Sequence, residues 1–397
     1  MPPAQNELHI GIRALAITIA IQVFTTLASR APSVLAAEIA PSAGLSPNWI
    51  GVYAGLLSLG AMLGSLLSGE FVKSFGPIRV SQISMLTCVL GAALTCGPLW
   101  MLALAPVVMG LGAGAVTPAS SHLLARTTGP EAMATVFSLK QTAAPIGIAI
   151  AGAILPALSI LFGWPASLGL VAVTGVVLAI LAQPSRSYLD TDHSPSRNIQ
   201  LTNGLSGLAI IRYDPTLREF ALVGLFFTAT QTCVTSFLVV HLIHSLDQSL
   251  VSAGLAFSLM GVAGIIGRIG LGRIADKSIQ PKLLLGILGL VAGLCSIATA
   301  SFTDAWPSSI RLVVIALFGV AGIGWVGIQL ALVARYSPRG QVATVTGGTE
   351  CVAFAGAALG PALFSATVAV FGDYRFGFGL FGCINLLCAS WLLTRSR

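Results

Sequence analysis

Long apolar runs alternate with short polar breaks along all 397 residues of the chain. An apolar helix needs about 20 residues to cross the hydrocarbon core of a bilayer. By that measure the pattern predicts twelve membrane-spanning helices: 12–37 (span 1), 49–72 (span 2), 80–96 (span 3), 100–125 (span 4), 134–161 (span 5), 165–182 (span 6), 217–243 (span 7), 251–272 (span 8), 283–301 (span 9), 310–334 (span 10), 343–370 (span 11) and 376–393 (span 12). The expectation is an all-α membrane protein.

The longest polar interval holds Arg186, Asp190, Asp192, His193, Arg197 and Arg212, and separates six spans from six. It predicts an N-terminal six-helix bundle at 1–183, a cytoplasmic linker at 184–215 and a C-terminal six-helix bundle at 216–397. The halves are related in sequence. A shift of 209 lays 106–163 over 315–372 without a gap and matches Gly110, the run Ala134, Thr135, Val136, then Gly147, Phe162 and Gly163. A shift of 203 lays Gly64 and Gly69 over Gly267 and Gly272. Two parallel repeats of this kind predict pseudo-symmetric bundles with a substrate site between them near the membrane midplane, as secondary transporters build it.

Composition excludes a water-soluble globular fold: 55% of residues are hydrophobic, 8% are charged and the mean hydropathy is +0.92. Lys and Arg set the orientation. With a cytoplasmic N-terminus, 17 of the 20 basic residues fall on the cytoplasmic side or the inner part of a helix, leaving Arg30, Arg311 and Arg375 outward. Both chain ends are therefore expected in the cytoplasm and the protein in the inner membrane. The formal charge of +7 then reflects topology, with no need of a nucleic-acid partner. The first apolar run is too long for a cleavable signal peptide. The seven cysteines lack metal-ligand spacing and read as small apolar fillers.

Span 8 runs out into the charged end Gly272, Arg273, Ile274, Ala275, Asp276, Lys277, and span 2 into Gly69, Glu70, Phe71, Val72, Lys73, Ser74, Phe75, Gly76, Pro77, Ile78, Arg79. On these loops and the doubled six-span plan, the chain resembles the major facilitator superfamily over its whole length. The resemblance implies that Asp276 serves the inner gate by facing the positive end of a helix of the opposite half. Lys73 occupies the acidic position of the first copy and would repel such an end. On span 4, Met109 to Gly114 supply a glycine-rich run, but Pro106 stands where proton-driven antiporters of drugs and sugars carry arginine. Ala144, Pro145 and Gly147 echo the efflux signature of span 5 only in part. Arg268 with Gly272, Ala275 and Asp276 is similar to the monocarboxylate and oxalate:formate branches, which implies that Arg268 meets a substrate carboxylate.

Polar residues inside the spans supply further candidates. Thr18, Gln22, Thr26 and Arg30 recur every fourth position on span 1, and Thr228, Gln231, Thr232 and Thr235 share a face of span 7. The resemblance puts spans 1 and 7 around the central cavity, making Gln22, Thr26, Arg30, Gln141, Gln231, Thr235 and Arg268 the expected cavity residues. Alternatively the threonines bond their own backbone and Arg30 snorkels to the outer headgroups. The repeat frame lays Lys140 and Gln141 over Thr349 and Glu350. Of thirteen acidic residues, Glu350 alone falls well inside a span, with His122 a weaker titratable group. It could take a coupling proton, gate, or form a fixed pair with Arg268 or Lys140. Lys140, Glu350, Asp276 and Lys73 are thus the coupling or gating candidates. Arg30, Lys140 and Arg268 against Glu350 make the interior net basic, which favours an anion.

The expected function is alternating-access transport of a small organic solute, an anion by this charge balance, with uptake favoured and protons a possible coupling ion. Proton-coupled efflux of an amphipathic metabolite or drug is the alternative, and a transport-inactive membrane sensor a remote one. No cofactor, no metal and no oligomer is expected beyond a monomer in the lipid bilayer. No nucleophile with its base, phosphate loop or metal cluster points to an enzyme. His241 and His244 share a helix-end face but make only two candidate ligands.

Overall fold

Inside hydrocarbon every backbone N–H and C=O must find its partner within the protein, and a chain this apolar does so as helices. The structure, a computed structural model, describes residues 3–46, 48–128, 133–191, 206–277, 280–338 and 342–395. Within these, the side chains of 3–9, 70, 73, 125, 133–135, 138, 206, 272–277, 331, 334 and 342–344 lie outside the description. Twelve helices are long and apolar enough to cross a membrane: Ile10–Val34, Trp49–Gly69, Pro77–Thr95, Leu99–Leu124, Leu139–Phe162, Trp164–Leu189, Pro215–Leu246, Leu250–Leu271, Pro281–Ala300, Ser308–Leu330, Val345–Phe371 and Tyr374–Thr394. These are spans 1 to 12 in order, and no strand occurs among the described residues.

The internal repeat is visible as contacts. On spans 2 and 4, a Cβ added at Gly110 would overlap the carbonyl of Leu57, and one at Gly64 that of Leu111. On spans 8 and 10, Gly319 meets the carbonyl of Met260 and Gly267 that of Val320 in the same way. Each C-half pair is its N-half pair shifted by 203 on one helix and 209 on the other. Small residues let helix backbones close up where no hydrophobic effect drives association. The frame extends to the turns: Gly163 and Gly372, superposed by the 209 shift, have φ of 82° and 72°. The equivalent turns, between spans 5 and 6 and between spans 11 and 12, thus both need a backbone that only glycine adopts without cost.

The halves meet along spans 2 and 11 and spans 5 and 8. Gly51 lies against the carbonyl of Pro361 and the ring of Phe237, Gly55 against the carbonyl of Ala358, and Gly254 against that of Gly152. These approaches cluster toward the face remote from the linker, called here the far face; the other is the linker face. Two polar contacts join the halves there. Ser365 donates to the carbonyl of Asn48 at 2.6 Å, and the Tyr374 hydroxyl to Asn48 Oδ1 at 3.5 Å.

The described parts of the linker are mostly helical, residues 192–205 lying outside the description. A 3₁₀ turn Gln183–Ser185 and a helical turn Arg186–Leu189 fold back on the N-half, and a helix Ser206–Tyr213 packs on span 11, with Gly207 against Gly348. Asp190 accepts from the backbone N–H of Ile78 at 2.7 Å and of Arg79 at 3.1 Å, capping the first turn of span 3. Arg186 lies 3.6 Å from the same carboxylate. Gly76, with φ of 88°, precedes Pro77 and lies against Asp190, where a side chain would clash. A carboxylate thus reaches the loop in which Lys73 takes the acidic position. The Lys73 and Asp276 side chains themselves lie outside the described residues.

Two spans are interrupted where the sequence predicts continuous helices. Span 5 is broken at Thr142, between helices Met133–Gln141 and Ala143–Phe162. Span 10 passes through a π-turn, Gly319–Ile323, before resuming at Val326. Such irregular backbone at membrane depth is tolerated where protein or a cavity covers it, and it marks functional positions in helices generally.

Candidate functional site

A cavity of about 210 Å³ lies between the halves, lined by Ser29, Arg30 and Ser33 of span 1, Tyr53 and Ser58 of span 2, Thr228, Gln231 and Thr232 of span 7, and Phe354 of span 11 among others. Arg30 is the one charged residue of that lining. The period of span 1 explains its position: four-residue spacing holds a single face, and on that face the guanidinium reaches across to the other half. Its Nη1 donates to Thr235 Oγ1 at 3.2 Å. Arginine has five N–H donors, so this bond leaves a planar fork free for a carboxylate.

Gln231 is held from span 10. The buried indole of Trp325 donates to Gln231 Oε1 at 3.0 Å and to the carbonyl of Gly322 at 3.1 Å. The Phe227 ring packs edge-on against Trp325, 5.4 Å between centroids. Gln22, which the 209 shift lays over Gln231, is met from span 4, where Thr117 donates to its Oε1 at 3.3 Å. Thr26, laid over Thr235, instead packs against Gly147 of span 5. Phe237 is stacked on Phe364, 4.0 Å between centroids, and belongs to the packing of spans 7 and 11. The polar cavity residues absent from the two stripes are Ser29, Ser33, Tyr53 and Ser58. A second-half counterpart would have marked none of them, since hydroxyls on apolar helices more often bond their own backbone, as Ser29 and Ser58 also do here.

Arg268 lies away from this lining. Nε donates to the carbonyl of Ile323 at 3.2 Å, where the π-turn of span 10 ends, and Nη1 donates to the carbonyl of Gln141. The second acceptor has a simple origin. In a continuous helix the Gln141 carbonyl would take the N–H of residue 145, but Pro145 has none, and its ring pushes that carbonyl aside. The arginine of one half thereby satisfies a carbonyl that the other half's proline leaves bare, and ties both helix interruptions together.

Lys140 adjoins this junction. It is 1% exposed, and its Nζ has no hydrogen-bond partner among the described residues. It feels the charges of Glu350 and Arg268. Two cations and one half-buried acid therefore share the seam between spans 5, 8 and 11 on the linker side of the cavity. Among the described residues no His, Cys, Asp or Glu cluster could hold a metal ion. His241 is bonded to Ser245 at 3.0 Å and faces the Thr299 carbonyl at 3.3 Å.

An uncharacterized MFS-type transporter from Mycobacterium tuberculosis (strain CDC 1551 / Oshkosh) is 22% identical over 272 residues, which is 65% of this chain and 57% of the relative. The match thus spans little more than half the relative's length. Among solved structures, a mutant of the nucleoside transporter NupG superposes with a TM-score of 0.77 at 14% identity, covering 97% of this chain and all of that one. A POT family transporter in complex with 5-aminolevulinic acid gives 0.77 at 13% identity, covering 96% of each chain. A bacterial homologue of the human lysosomal transporter Spinster, in an inward-facing and occupied conformation, gives 0.73 at 17%, again covering 96% of each. At these identities the likeness shows a shared fold. Residues 18–352 match the family model of the Major Facilitator Superfamily, and this multi-pass membrane protein, with its paired six-helix bundles around a polar cavity, belongs to that family of transporters.

Proposed function

We propose that the protein is a secondary active transporter that moves a small organic anion across the cytoplasmic membrane by alternating access, with both chain ends in the cytoplasm and uptake as the working direction. The observation that carries the reading is Arg30: it is the one charged residue lining the cavity between the halves, and most of its donors remain free. Hydroxyls of Ser29, Ser33, Ser58, Thr228 and Thr232 complete a wall suited to a solute of several oxygens. About 210 Å³ lies below the ~300–1,000 Å³ of drug-sized sites, which supports a small acid over an amphipathic drug.

The halves rock about this cavity, and the solute shifts the balance between the two openings through its differential contacts. Glu350, in the charge field of Lys140, is the candidate coupling or gating acid. Arg268 acts at the seam and Arg30 at the solute. The test is uptake of a panel of radiolabelled small acids into cells lacking the native gene and carrying wild type, Arg30→Ala or Arg30→Lys. Wild type should concentrate at least one acid, Arg30→Ala should lose it, and Arg30→Lys should recover part. Uptake that survives Arg30→Ala intact, or a flux that runs only outward, overturns the reading.

A further inference from the structure

We infer that the cavity selects an anion whose second polar group is a neutral hydrogen-bond acceptor, such as a carbonyl, rather than an ammonium group, and that Gln231 reads that acceptor through its amide nitrogen. The inference rests on Arg30 as the anchor of the carboxylate.

The orientation of Gln231 decides the matter. An indole N–H is a donor only, so the amide atom it meets at 3.0 Å must be the oxygen. The reversed amide would set N–H against N–H. Trp325 is 2% exposed, shares its proton with the Gly322 carbonyl, and is braced by Phe227, so the indole cannot turn away without losing both contacts. The Gln231 oxygen is therefore taken, and its Nε2, which donates to no protein group among the described residues, is the end left for the cavity. One half thus presents a guanidinium and the other an amide N–H₂, both donors. No carboxylate lines the space. An ammonium group there would meet the positive guanidinium and an amide N–H₂, with only neutral hydroxyl oxygens and no carboxylate to offset its charge. A carbonyl or ether oxygen would be met by a donor. The room matches a compact molecule: about 210 Å³ is roughly seven times the ~30 Å³ share of a liquid water.

The test is calorimetric titration of the purified full-length protein in lipid nanodiscs. The probes are 2-oxo acids of three to six carbons and 4-oxo acids of five and six carbons, each set against the amino acid with its ammonium at the same carbon. Wild type should bind at least one oxo acid tenfold or more tightly than its amino partner. Gln231→Glu, which can still accept from the indole but offers the cavity an oxygen, should invert the preference. Trp325→Phe, which frees the amide to flip, should reduce the ratio to near one while binding persists. Equal binding of both partners in wild type, lost together in Arg30→Ala, leaves the anion reading standing and overturns this one. So does a preference untouched by Gln231→Glu. Binding of no oxo acid, or binding indifferent to Arg30→Ala, overturns both.

Discussion

Arg268 donates through Nη1 to the carbonyl of Gln141, the carbonyl that Pro145 deprives of its helical donor. The two residues belong to opposite halves, and a buried carbonyl left unpaired costs about 1–3 kcal/mol. Arg268→Ala should therefore lower stability by that order as well as impair transport, with Arg268→Lys recovering part. Pro145→Ala restores the missing N–H, so the penalty of Arg268→Ala should shrink in that background. Thermal unfolding in detergent of wild type, Arg268→Ala, Pro145→Ala and their double variant measures the coupling. An equal penalty in both backgrounds would mean that the arginine does not act through this carbonyl.

Glu350 stands in the charge field of Lys140, and Lys140 in that of Arg268. In proteoliposomes, Glu350→Gln should abolish accumulation driven by a pH gradient while leaving exchange of labelled for unlabelled solute. Loss of both would assign Glu350 to a structural pair. Gradient-driven accumulation unchanged from wild type would remove it from coupling altogether.

Gly51 lies against Pro361, Ser365 and Phe237 where the halves close at the far face. Gly51→Val adds bulk at backbone distance and should force that seam open. In a cysteine-free background with Ser33→Cys in the cavity wall, labelling by an impermeant maleimide from the far side should rise several-fold over the Gly51 parent. Unchanged labelling would show that the seam does not control entry.

Asp190 caps two backbone N–H groups of span 3 from beyond span 6. Asp190→Ala should cost about 0.5–2 kcal/mol, as loss of a helix cap does, and Asp190→Asn less. Thermal unfolding of the full-length protein reads both. If the alanine variant melts with wild type, the cap carries no stability.

Much of the architecture was legible in the chain because hydrocarbon leaves a polypeptide few choices. Runs of about 20 apolar residues had to become helices, and each predicted span overlaps an observed one. The shifts of 209 and 203 marked the halves as related, and the structure adds that Gly110 against Leu57 recurs as Gly319 against Met260. Arg30 and Gln231 were visible as polar positions on single helix faces, because helical period is a local property. Their partners were not. That Thr235 receives Arg30 and Trp325 orients Gln231 depends on which helices stand side by side, and no spacing within one helix records that.

Arg268 marks the limit most clearly. Its isolation in an apolar run declared that something must receive its charge, and the resemblance named a substrate carboxylate. The folded chain instead offers it two carbonyls, one of them bared by a proline 123 positions earlier in the chain. Composition and periodicity determine that a charge is buried, because desolvation acts on each residue wherever it lies. Only the tertiary structure decides what answers that charge, because hydrogen bonds fall off within an ångström and their partners are brought together by the packing of distant spans.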